Sequence, residues 1–128
     1  MKYLLDSRIF LWWCAQSSRL SPTVFDLIKQ GENAIYISLV SIREIQIKSQ
    51  LGKVDLLLPI MDIFSQQNAE HNIQLLAIEL PHMKALTILP NLHVDPFDRV
   101  LVAQAIAEDM TMLTNDLNIT QYRVKTLW

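Results

Sequence analysis

Glycine and cysteine are scarce in this chain: Gly31 and Gly52 are the two glycines among 128 residues, and Cys14 is the one cysteine. Two isolated glycines cannot build a glycine-rich phosphate loop or a dinucleotide-binding fingerprint, which need several at fixed offsets. P-loop and Rossmann cofactor chemistry are thereby excluded. A lone cysteine rules out an internal disulfide and a cysteine-cluster metal site, and suits a reducing cytoplasm. Long apolar runs are also missing. Ile9 to Ala15 falls far short of the roughly 20 residues a membrane span needs. Asp6 and Arg8 interrupt what would have to be the continuous apolar stretch of a signal peptide, so Met1 is expected to begin the folded domain. Neither sign of charge dominates, with 11 Lys and Arg against 13 Asp and Glu. A charged fraction of 19% beside 51% hydrophobic residues is wrong for disorder and right for one globular domain over residues 1–128.

What is present alternates in character. Tyr3-Leu4-Leu5 is a short apolar strand ended by Asp6, and Ser7 to Ala15 reads as a helix. Ser21-Pro22 is a helix start with its stop at Gly31. Ala34 to Ser38 has strand character, and Ser38 or Ser41 caps a helix that runs to Leu51 and stops at Gly52. A helix from Leu58-Pro59 to Asn72, a strand over Ile73 to Ile78 and a short helix from Pro81 toward Leu89 come next. Asp95-Pro96 opens a helix through about Met110, Thr111 to Thr114 is a strand, and Val124 to Trp128 is a last one. Strands alternating with helices, and lacking a polar face, predict an α/β fold: a mostly parallel central sheet with helices on both faces. Sites in such sheets lie beyond the carboxyl ends of the strands, where strand order reverses.

Acidic residues gather at those predicted ends. Asp6 and Asp116 follow strands, and Glu44 and Asp98 lie on helices. Each has an ordinary structural alternative. Asp6 suits an N-cap, Glu44 has an i,i+4 partner in Lys48, and Asp116 suits a turn. Asp95, before Pro96, is better explained as an N-cap than as a ligand, which leaves Asp98 free of that duty. Four acids at one end of one sheet repel one another unless a cation sits among them. Oxygen ligands without cysteine, and with His71, His82 and His93 too scattered to form a signature, suit Mg²⁺ or Mn²⁺ rather than zinc. Carboxylate-held Mg²⁺ most often serves phosphodiester or phosphoryl hydrolysis. Arg8, Arg43, Lys48 and Arg99 stand within a few residues of these acids and form a candidate basic rim for phosphates, with ordinary surface charge as the alternative.

Taken together, these segments resemble the PIN-domain family, and within it the VapC-type ribonuclease toxins of bacterial toxin–antitoxin modules. Tyr3-Leu4-Leu5-Asp6-Ser7 resembles the family's first strand, Ser38 to Lys48 its Glu-bearing helix, and Leu51-Gly52-Lys53 the stop after it. His93-Val-Asp95-Pro96-Phe97-Asp98-Arg99 is the most specific match, and Met112-Leu113-Thr114-Asn115-Asp116 completes the set. The resemblance implies a PIN-like fold and an endoribonuclease that needs Mg²⁺ or Mn²⁺, held by the catalytic carboxylates Asp6, Glu44, Asp98 and Asp116. Ser7, Asp95 and Thr114 would support them. It further implies hydrolysis by a metal-activated water, a cytoplasmic homodimer, and a small antitoxin partner for which the Trp12-Trp13 region is a candidate contact. Arg8 and Arg43 depart from the family's usual residues at those places.

Three rivals stand beside this reading. A haloacid-dehalogenase-like phosphatase needs a second Asp two residues after the first, where this chain has Arg8. A catalytically inactive PIN-like module would bind RNA or a partner without cleaving. A purely structural domain would require all four acids to be caps and turns.

Overall fold

The computed structural model describes residues 1–128. Its order is β1 (Lys2–Leu5), α1 (Ser7–Cys14), α2 (Pro22–Lys29), β2 (Ala34–Ser38), α3 (Leu39–Gln50), α4 (Ile60–His71), β3 (Gln74–Leu76), α5 (Leu80–Thr87), α6 (Pro96–Ala107), β4 (Thr111–Leu113), α7 (Leu117–Thr120) and β5 (Thr126–Leu127). The strands form one sheet in the order β3-β2-β1-β4-β5, and every pairing is parallel. Both of its faces are buried, as the unbroken apolar strands require. Tyr3, Leu5, Ile35, Ile37 and Leu113 turn to one core with Ile9, Phe10, Val24, Ile28 and Ile45. The alternate residues Leu4 and Met112 turn to the other, with Leu101, Val102 and Ala105 of α6. The predicted α/β architecture is therefore the observed one.

Strand order reverses at β1: the chain runs outward through β2 and β3, then crosses to β4 on β1's other side. The carboxyl ends of β1 and β4 thus flank the switch point. Three elements are clearly shorter than expected, and one of them is β5, which pairs with β4 only at Thr126 and Leu127 where the sequence predicts a strand over Val124 to Trp128. β3 stops at Leu76 because its pairing partner β2 ends with Ser38↔Leu76 and turns into α3. The α6 helix ends at Ala107 rather than near Met110, because Asp109 takes φ 52°. The Met110 N–H donates to the Ala105 carbonyl and the Asp109 N–H to that of Ile106, which closes a Schellman motif.

The shortage of glycine has a structural consequence. Gln16, Asn72 and Asp109, which end α1, α4 and α6, occupy the left-handed region that favours glycine. Gln16 follows the cap of α1, where Ser17 N–H donates to Trp12 and Gln16 N–H to Trp13. Gln16→Gly is expected to stabilise the protein by about 0.5–1 kcal/mol, since the backbone strain it relieves exceeds the unfolded-state entropy it adds. A thermal melt raised by a few degrees checks it, and an unchanged or lowered melt sinks it.

Candidate active site

The site begins with Asp6, the residue at which β1 becomes α1. It caps the helix by accepting from the Arg8 N–H through Oδ1 at 3.4 Å, while Oδ2 accepts from the Thr114 hydroxyl at 2.8 Å. Cap and site member are therefore not alternatives here, because the two oxygens face different partners. Thr114, just past β4, also accepts from the Asp116 N–H at 3.1 Å, so one hydroxyl joins the ends of β1 and β4. Asp116 caps α7 through Oδ1, which accepts from the Asn118 N–H at 2.9 Å. Its other oxygen, Oδ2, lies 3.7 Å from Arg8 Nη2.

Glu44 comes from α3. The helix starts at Ser38, whose hydroxyl accepts from the Val40 N–H, so Ser38 is the cap and Ser41 is released to point inward. Ser7 lies 2.7 Å from Glu44 Oε1 and 2.8 Å from Ser41 Oγ. Glu44 is 6% exposed, yet Lys48 reaches its other oxygen at 2.9 Å. The i,i+4 pair exists and the carboxylate still faces inward. Asp98 stands in the first turn of α6, below the cap Asp95, whose Oδ1 accepts from the Phe97 and Asp98 N–H groups. His93 Nε2 lies 3.0 Å from Asp98 Oδ2.

Electrostatics ties the four acids together. Burial raises the Asp6 carboxyl above its ordinary range, opposed by the Thr114 hydrogen bond and Arg8 and reinforced by Asp116. Asp98 is pushed up to about 6, first by burial and then by the charges of Asp95, Asp6 and Glu44, with the His93 hydrogen bond opposing. Each carboxylate also has a nitrogen base within 4 Å: Arg8 for Asp6 and Asp116, Lys48 for Glu44, His93 for Asp98. The cluster is a concentration of negative charge that the fold only partly neutralises.

His93 is the participant the sequence reading passed over, since no second histidine accompanies it. Its signal was local: it stands five residues before Asp98, and ligand atoms of His93, Asp95 and Asp98 lie within 4.8 Å of one another. Of the basic residues, Arg8 and Lys48 meet the site carboxylates. Arg43 is exposed on α3 and reaches Gln46. Arg99 is engaged elsewhere, donating to the carbonyls of Pro90 and Leu89 and to the Tyr122 hydroxyl, which braces the loop before α6. Trp13 is core, its indole N–H donating to Gln67 at 2.7 Å, whereas Trp12 packs edge-on against Trp128 beside Arg8. Burial pushes the Cys14 thiol up to about 12, so it stays an inert thiol.

The donor set fits a hard divalent cation. It consists of carboxylate oxygens with the hydroxyls of Ser7 and Thr114 beside them, no thiolate, and one imidazole already bonded to a carboxylate.

The family model of the PIN domain matches residues 3–125. Ribonuclease VapC22 of Mycobacterium tuberculosis is 27% identical over 121 residues, covering 94% of this chain and 91% of that protein. VapBC2 of Rickettsia felis, solved bound to a DNA fragment from its promoter, superposes with a TM-score of 0.76 at 16% identity, over 99% of this chain and 98% of that one. VapBC-1 of nontypeable Haemophilus influenzae gives a TM-score of 0.73 at 15% identity, over 99% and 97%.

Proposed function

The chain belongs to the PIN-domain family, and from that premise we propose that it is an endoribonuclease dependent on Mg²⁺ or Mn²⁺ and the toxin of a toxin–antitoxin pair. One observation carries the reading: acids from four separate elements feel one another's charge at the carboxyl end of a parallel sheet, Asp6 and Glu44 acting on Asp98 and Asp116 on Asp6, and the basic side chains beside them neutralise it only in part. The relative named a ribonuclease and the structural neighbours named VapBC complexes support it.

Asp6, Glu44, Asp98 and Asp116 would hold the cation. When bound, it would polarise the attacking water and offset charge on the phosphate. The chain's own residues do the rest. Ser7 orients Glu44, Thr114 aligns Asp6 with the backbone of Asp116, and His93 holds Asp98. Asp95 fixes the start of α6 and so the direction of Asp98. Arg8 and Lys48 stand beside the acids as candidate phosphate contacts, whereas Arg43 lies with Gln46 along the apolar groove beside α3. For Arg99 to join Arg8 and Lys48, its guanidinium would first have to leave the loop carbonyls it now holds.

No helix is long and apolar enough to cross a membrane, and with a lone inert thiol this supports a cytoplasmic protein. For partners, an apolar groove of about 560 Å³ between α3, α4 and α6 exposes Leu39, Met61 and Ile78. Such a surface supports protein contacts, an antitoxin and a second copy of this chain among them.

The test is incubation of purified, inhibitor-free protein with structured cellular RNA. Discrete fragments are expected with Mg²⁺ or Mn²⁺ and none with excess EDTA. Equal cleavage with EDTA sinks the cation requirement. Intact RNA under every condition favours the non-cleaving binding module.

A further inference from the structure

Arg8 is the second residue of α1, and its charge has no use to that helix. A cation near a helix N-terminus opposes the macrodipole. Cβ atoms tilt toward the N-terminus, so the side chain is directed back over the carboxyl end of β1. There one nitrogen spans two strands' carboxylates: Arg8 Nη2 lies 3.9 Å from Asp6 Oδ2 and 3.7 Å from Asp116 Oδ2. The same nitrogen is 3.4 Å from Asn115 Oδ1, and the guanidinium carbon sits 5.6 Å from the Trp12 ring centroid.

We infer that Arg8 is a built-in counter-ion that competes with a divalent cation for Asp6 and Asp116 and so sets the site's cation affinity. This rests on the cation-dependent reading above. A Mg²⁺ or Mn²⁺ ion takes carboxylate oxygens at about 2.0–2.2 Å, well inside the guanidinium's distance from both. Two positive charges cannot both be nearest neighbours of the same oxygens without repulsion, so entry of the ion displaces the guanidinium. The contacts holding it are long and single, and its side chain is 46% exposed, so its removal buries nothing. Trp12 and Asn115 keep the displaced group beside the site, where it meets phosphate rather than carboxylate. Lys48 pairs with Glu44 from within one helix and does not bridge two elements in this way.

The test is calorimetric titration of Mn²⁺ into metal-free wild type, Arg8→Ala, Arg8→Lys and Asp6→Asn, each checked for folding by circular dichroism and melting. Arg8→Ala is expected to bind Mn²⁺ about three- to tenfold more tightly, with Arg8→Lys between it and wild type. The gap should narrow in high salt, because the guanidinium is exposed. Asp6→Asn binds more weakly. Equal or weaker binding by Arg8→Ala, while wild type binds and Asp6→Asn does not, overturns the counter-ion role and leaves the cation reading standing. Absence of Mn²⁺ binding in wild type and Arg8→Ala alike overturns both.

Discussion

Asp98→Asn is expected to cut RNA cleavage at least about a hundredfold and at the same time to make the metal-free protein harder to melt. The two effects share a cause. Asp98 is 8% exposed, and its carboxyl is pushed up to about 6 by burial and then by Asp95, Asp6 and Glu44, against the His93 hydrogen bond. An unfolded chain ionises this group near 3.8. Between those values the native state holds more protons than the unfolded one, so stability falls as pH rises and the whole cost is present above about 6. With allowance for partial contact with solvent, that cost is about 1–2 kcal/mol. Asn keeps the shape and an acceptor for His93 but carries no charge. In EDTA at pH 7.5 the variant should melt about 3–6 °C higher, and its melting temperature should change less than the wild type's between pH 4 and 6. Mn²⁺ should raise the wild-type melt by mass action and leave the variant's nearly unmoved. A variant that melts lower than wild type in EDTA would sink the account of repulsion, and one that still cleaves would remove Asp98 from the catalytic set.

Gln104→Leu is expected to destabilise the protein by about 2–4 kcal/mol, lowering its melting temperature by roughly 10 °C. Gln104 is 0% exposed in the middle of α6. Its Oε1 accepts from the Ser38 hydroxyl at 2.6 Å, and its Nε2 donates to the Ala77 carbonyl at 3.3 Å and lies 3.3 Å from His82 Nδ1. His82, also wholly buried, takes the Glu79 N–H on Nδ1 and bonds Glu108 through Nε2 at 2.9 Å. One amide therefore joins the cap of α3, the end of β3, the start of α5 and, through His82, the end of α6. Leucine fills the volume but leaves a buried hydroxyl and a carbonyl short of partners, and that desolvation outweighs the added apolar contact. Ser38→Ala combined with Gln104→Leu should cost less than the sum of the two, since they break one shared bond. A melting temperature within about 2 °C of wild type would show that water or repacking repairs the gap.

Most of the fold was legible because its signals are local. Ser21-Pro22 opens a helix and Gly52 closes one through the backbone of adjacent residues, and unbroken apolar strands announce a sheet covered on both faces. Where the reading failed, the deciding partner lay elsewhere. The length of β3 depends on where β2 stops pairing, and the end of α6 on a left-handed Asp109 where a glycine would have been the visible sign. The network around Gln104 and His82 gave no sign in sequence, because its members are 22 and 66 residues apart.

By itself the sequence determined the alternation of elements and the parallel sheet and singled out four acids as candidates, since each follows from residue type and short-range spacing. Only the tertiary structure decided what surrounds those acids. It turned Ser7 toward Glu44, set Thr114 between Asp6 and the backbone of Asp116, laid Arg8 across Asp6 and Asp116, brought His93 to Asp98, and drew Arg99 away to loop carbonyls. The physical reason is the range of the forces. Caps, turns and periodicity act within a few residues, whereas a carboxylate's burial, its neighbours' charges and its counter-ion are fixed by strands and helices that meet only when the sheet has formed.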